Sequence, residues 1–117
     1  MVVPKNGSGD GLALWTDINN QNDLVTLWTS IATRYKNEPT VIGYDLVNEP
    51  CPVRLDSETT QQALDKWGNL ASRIATGIRS VDSNHILFVE PVCCIFNQSG
   101  NKEYNFPSRI FVYRDSI

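Results

Sequence analysis

The run Val41-Ile42-Gly43-Tyr44-Asp45-Leu46-Val47 is nearly all apolar and stops abruptly at Asn48-Glu49-Pro50. A run without polar alternation fits a parallel strand buried on both faces. Proline has no N–H to give the ladder, so Pro50 ends it. Upstream, Leu24, Leu27, Trp28, Ile31, Ala32 and Tyr35 recur at helical spacing and make one apolar stripe. Asn22 or Asp23 can cap that helix. It should end near Lys36, because Asn37-Glu38-Pro39 follows and the residue before a proline avoids the helical region. Downstream, Ala63, Trp67, Leu70, Ala71, Ile74, Ala75 and Ile78 form a second stripe that runs to about Val81. Thr59-x-x-Gln62 is its candidate capping box, and Gly68 and Gly77 each weaken it slightly. Ile86-Leu87-Phe88-Val89 is a second short apolar strand, ending in Glu90-Pro91.

Helix, strand, helix, strand in that order predicts an α/β protein with a parallel sheet and a right-handed βαβ unit. Arg109 to Tyr113 is a candidate third strand. Between them the pattern decays, and Asn97 to Pro107 is polar, with a turn at Ser99-Gly100-Asn101. At the front, Met1 to Gly11 reads as an extended entry and a Gly-rich loop without a phosphate-binding fingerprint. Leu12 to Gln21 reads as irregular or briefly helical.

Composition narrows the classes. The 117 residues make one domain at most, and 13 acidic against 10 basic residues give a net charge of −3. With no basic cluster, neither nucleic acid nor an anionic membrane is expected as a partner. No apolar run approaches the roughly 20 residues of a membrane span, and the N-terminus shows no secretion signal. Cys51, Cys93 and Cys94 are an odd count, too few for a disulfide framework, so buried or free thiols are expected. Their spacing suits no zinc motif and His85 adds no ligand set, so no metal site is expected.

The chemistry concentrates at the strand ends. Asn48 and Glu49 fall at the carboxyl end of a buried strand, where α/β enzymes bind ligands. A carboxyl group at such a lip, half out of water, suits proton donation, because desolvation disfavours its charged form. The plainer reading is that a polar residue merely marks the start of a loop. Glu90 closes the neighbouring strand. Two carboxylates flanking a glycosidic bond are the equipment of glycoside hydrolysis, held about 5–5.5 Å apart in retaining enzymes, and adjacent strands lie about 4.8 Å apart. Glu90 can equally be a loop-entry residue. Trp15 sits in a loop near the strand ends and is a candidate sugar-stacking platform. Trp28 and Trp67 lie on the helical stripes, where core packing accounts for them.

Together these residues carry a resemblance. Leu27-Trp28 with Ile31-Ala32-x-Arg34-Tyr35-Lys36, then Pro39-x-Val41-Ile42-Gly43-Tyr44-Asp45-Leu46-x-Asn48-Glu49-Pro50, resembles glycoside hydrolase family 5. Ile78-Arg79-x-x-Asp82-x-Asn84-His85 through Glu90 resembles the family's route into its fifth strand. The resemblance covers roughly residues 6 to 91. It implies a fragment of a (β/α)8 TIM barrel, with residues 1 to 117 a partial catalytic domain of about the third to sixth βα units. It also implies a retaining β-glucanase of cellulase type that cleaves O-glycosidic bonds without a cofactor. Glu49 resembles the general acid/base, and Asn48 the residue that hydrogen-bonds the sugar 2-hydroxyl. The family nucleophile lies on the seventh strand, so Glu90 is not its counterpart and the nucleophile is absent from the chain.

A full barrel needs about 250 residues. A truncated chain of this kind is expected to be a poor enzyme alone and to self-associate through unpaired sheet edges. The alternative is a non-catalytic carbohydrate-binding or oligomerising half-barrel. The implied partner is β-glucan or a related polysaccharide, and the implied location of the parent enzyme is extracellular.

Overall fold

The structure of the chain, a computed structural model, describes residues 12–106 and 111–113. The expectations for Met1 to Gly11 and for the segment after Tyr113 lie outside the described residues. The elements are α1 (Ala13–Thr16), α2 (Ile18–Tyr35), β1 (Gly43–Asp45), β2 (Val53–Arg54), α3 (Thr60–Arg79), β3 (Ile86–Val89), β4 (Cys94–Asn97), β5 (Lys102–Asn105) and β6 (Phe111–Tyr113).

The βαβ unit is present. β1 pairs parallel with β3, Tyr44 opposite Leu87 and Asp45 opposite Phe88, with α3 in the crossover. The ladder continues past β1 through the Leu46 amide, which donates to the Phe88 carbonyl (3.1 Å). The helices cover one face of this pair. On that face Tyr44, Leu46 and Leu87 are buried against Trp67, Leu70, Ile74 and Ile78. The strand is therefore not buried on both faces: on the other face Asp45 is exposed and Phe88, opposite it, is half-buried.

α3 forms where the pattern places it. The Thr59 hydroxyl accepts from the Gln62 amide and the Gln62 side chain accepts from the Thr59 amide, which closes the capping box. α2 begins earlier than its stripe suggests. Asp17, not Asn22 or Asp23, is the cap, and its carboxylate accepts from the Asn19 amide. The polar run Asn19 to Asn22 has weak helix propensity, but tertiary bonds override it. Asn20 and Gln21 donate to the Ala13 and Leu14 carbonyls, and Arg73 of α3 donates to Gln21 and Asn22.

The sheets are mixed, not purely parallel. β6 pairs antiparallel with β3. A second sheet, in the order β2-β4-β5, occupies the stretch where the pattern decays. β2 runs parallel to β4, and β4 runs antiparallel to β5 across the expected turn. There the Asn97 side chain accepts from the Ser99 and Asn101 amides, and Gly100 takes φ 86°, which glycine reaches without steric cost.

This second sheet overturns the expectation of three buried or free thiols. Cys51 and Cys94 form a disulfide, with Cα atoms 4.7 Å apart. Val53 lies opposite Phe96, so two residues earlier Cys51 lies opposite Cys94. The register makes the pairing, and sequence alone does not reveal the register. Cys93 remains a free thiol.

One polar cluster ties the far end of the sheet to the helices. Buried Asp82 accepts from the Tyr44 hydroxyl (2.7 Å) and from the Asn84 and His85 amides, and its Oδ2 lies 2.6 Å from His85 Nδ1. Burial raises the Asp82 pKa, but these bonds outweigh it and leave the carboxyl below its ordinary value.

Candidate active site

Both parallel strands end at one rim. Asn48 and Glu49 lie there, exposed, in the bend between Leu46 and the buried Pro50. Glu49 takes φ 48°, in the left-handed region that non-glycine residues enter only when their surroundings hold them. The restraint comes from the neighbouring strand end: the Glu49 amide donates to Glu90 Oε2 (2.8 Å). Glu90 thus takes part in the site as an anchor for the Glu49 backbone.

Asp45 belongs to the same cluster, and pattern reasoning missed it. Side chains alternate along a strand, and Asp45 is level with Phe88. Glu90, two residues beyond Phe88, therefore falls on the same face as Asp45. The two carboxyl groups are near enough for Glu90 to act on Asp45. Local desolvation first, then the charge of Glu90, raises the Asp45 pKa above its ordinary value.

Two indoles fix the strand ends from the helix side. The Trp28 N–H donates to the Leu46 carbonyl (3.0 Å), and the Trp67 N–H donates to the Glu90 carbonyl (2.7 Å). Both rings pack with the core as the stripes predict, and each also pins a rim residue. A pattern of apolar positions registers the ring and not the N–H, so this second role is invisible in it.

Trp15 does not stand open at the strand ends. It is 7% exposed and meets Trp67 edge-on, with centroids 6.3 Å apart. α1 is a helical turn packed beside α2, so its one tryptophan turns into the core and its ring faces are covered. The three cysteine sulfurs lie within 4.8 Å of one another. Two of them are joined as the disulfide, so together they offer a metal a single thiol. Among the described residues no helix is long and apolar enough to cross a membrane.

In α/β folds the C-terminal rim of a parallel sheet is where ligands bind, and here that rim carries Asp45, Glu49 and Glu90. The family model for cellulase, glycosyl hydrolase family 5, matches residues 11–113. This chain belongs to that family. An endoglucanase of Paenibacillus polymyxa is 40% identical over 87 residues, covering 74% of this chain and 21% of the relative. The mannan endo-1,4-beta-mannosidase 4 of Solanum lycopersicum is 35% identical over 95 residues, covering 80% and 22%. The crystal structure of an endogalactoceramidase superposes with a TM-score of 0.59 at 32% identity, covering 72% of this chain and 19% of that one. The chain therefore spans about a fifth of the length of each.

Proposed function

We propose that this chain carries the acid/base half of a retaining glycoside hydrolase that cleaves β-glucan. Glu49 protonates the glycosidic oxygen as the bond breaks, then takes a proton from the incoming water. Asn48 hydrogen-bonds a sugar hydroxyl beside it, since its amide both donates and accepts. The observation that carries this reading is the held backbone of Glu49, fixed at the rim by Glu90. A proton donor must keep its place within a fraction of an ångström to be useful. The buried Trp15 supplies no stacking face in this reading. Carboxylates do the proton transfer and the nucleophilic step, so no cofactor is required. An oxidised Cys51–Cys94 pair supports an extracellular location, where disulfides persist.

The share of the relatives' length that the chain covers favours a second reading for the chain alone. It would bind cello-oligosaccharides without turning them over, or associate with a second copy through the open edge of β1. One experiment separates the readings. The matching segment of this chain replaces its counterpart in the Paenibacillus polymyxa endoglucanase, and both the chimera and the free chain are assayed on soluble β-glucan. The chimera should hydrolyse the glucan, and Glu49→Ala in it should cost about 10²–10⁴-fold in kcat. An aryl glycoside with an acidic leaving group needs less protonation and should lose far less. A Glu49→Ala chimera that keeps its turnover of glucan would refute the assignment.

A further inference from the structure

Three sulfur atoms meet just behind the rim. Cys51 lies two residues beyond Glu49, and its bridge to Cys94 has the Cys93 thiol against it. Cys93 Sγ is 2.7 Å from Cys51 Sγ and 3.7 Å from Cys94 Sγ. The backbone holds this contact in place. The Cys93 amide donates to the Pro50 carbonyl (3.1 Å), and the Cys93 carbonyl accepts from the Phe106 amide (2.7 Å). The Phe96 amide donates to the Pro52 carbonyl (3.1 Å), and both prolines flanking Cys51 are fully buried. Cys51 is thus a fixed sulfur facing two neighbouring cysteines, and it can bond to one of them at a time.

We propose that the bridge exchanges within the molecule, with Cys51 as the common partner of Cys94 and Cys93. The Cys93 thiolate attacks Sγ of Cys51. The Cys51–Cys93 bond forms as the Cys51–Cys94 bond breaks, and its electron pair leaves on Cys94 Sγ. The proton given up by Cys93 to solvent is replaced by one that Cys94 takes from it. One disulfide and one thiol stand on each side, so nothing is oxidised or reduced overall and no outside reagent is consumed. Cys51 is the sulfur attacked, because the new bridge then joins residues that are far apart in sequence. Attack on Cys94 would instead have to close a bridge between adjacent residues, which ordinary disulfide geometry disfavours.

The exchange moves the tether of the Glu49 loop by one residue, from the head of β4 to the residue before it. That residue is three beyond Glu90, so the step acts on the connection between the two strand ends. Its rate is set by the thiolate. Burial raises the Cys93 pKa, Glu49 and Glu90 raise it further, and Lys102 and a backbone bond oppose them. The thiol therefore stays protonated at neutral pH and exchange is slow, over minutes to hours. It should accelerate about tenfold per pH unit below that pKa, as the thiolate fraction grows.

The oxidised 117-residue chain tests this directly. Aliquots held at a series of pH values between about 6 and about 9 are quenched in acid, and the free thiol is capped with a maleimide in denaturant. Tandem mass spectrometry then locates the cap on Cys93 or Cys94. Both positions should carry it after incubation at the alkaline end, with the approach faster at each higher pH. In parallel, Cys94→Ser should fold by circular dichroism and show Cys51 bonded to Cys93. A cap confined to one of the two cysteines at every pH overturns the proposal. So does a folded Cys94→Ser chain that retains two free thiols.

Discussion

Asp45, Glu49 and Glu90 make the rim a coupled set, in which one carboxylate does two jobs. Glu90 accepts from the Glu49 amide and lies near enough to Asp45 to act on its carboxyl. Its charge is one reason the Asp45 pKa stands above its ordinary value. A carboxyl whose pKa is raised by folding adds stability at acid pH, fully present below the unfolded value, and loses it as pH rises through the folded one. Glu90→Gln removes the charge while leaving an oxygen that accepts hydrogen bonds. The Asp45 midpoint, followed by carbon NMR of its side-chain carboxyl, should then fall towards its ordinary value. Only the part due to desolvation should remain. An unchanged midpoint would mean that Glu90 does not govern Asp45. Of these three residues, Glu49 is legible in sequence because Asn-Glu-Pro closes an apolar run. Asp45 is not, because its partner is set by the pairing of Asp45 with Phe88, and register is a property of two strands together.

The same division runs through the elements. α3 is readable end to end, because its capping box and stripe are local signals. The start of α2 is not, because main-chain carbonyls of α1 and the Arg73 side chain of α3 hold its polar first turn. The sheet of β2, β4 and β5 leaves almost no local trace: β2 is two residues long, and its partner lies over forty residues away. Glycine content misleads in a related way, since both α3 glycines look like equal weaknesses. A Cβ at Gly68 would meet nothing within 4 Å, whereas one at Gly77 would lie 2.6 Å from Thr29 Oγ1 and 3.3 Å from Val25 Cγ1. Gly77 is the point where α2 and α3 approach closely, and the Thr29 hydroxyl is already bonded to the Val25 carbonyl. Urea titration should therefore separate the two. Gly68→Ala should gain about 0.5–1 kcal/mol through helix propensity. Gly77→Ala should lose about 1–3 kcal/mol through overpacking. Equal effects at both positions would remove the crossing from the account of why α2 stays in place.

For the molecule as a whole, the question is what holds two small sheets together. The connecting segments are 46–52 and 90–93, and they carry Asn48, Glu49 and Glu90. Their main cross-link is the Cys51–Cys94 bridge, which spans 43 residues. In the chain-entropy account, closing a loop of that length removes about 4 kcal/mol of unfolded-state freedom. Small domains are stable by only about 5–15 kcal/mol, so the bridge is a large share of the whole. Reduction should lower the urea midpoint by about 2 M, for a slope of about 2 kcal/mol/M. Cys51→Ser should reproduce that loss without reductant. Cys94→Ser should not, because Cys93 can close a loop of 93 − 51 = 42 residues, and closure entropy varies only with the logarithm of length. Its deficit should be about 1 kcal/mol, the cost of a buried hydroxyl in place of sulfur. A Cys94→Ser chain as unstable as Cys51→Ser would show that the stabilisation belongs to one specific bridge and not to the tether that either cysteine supplies.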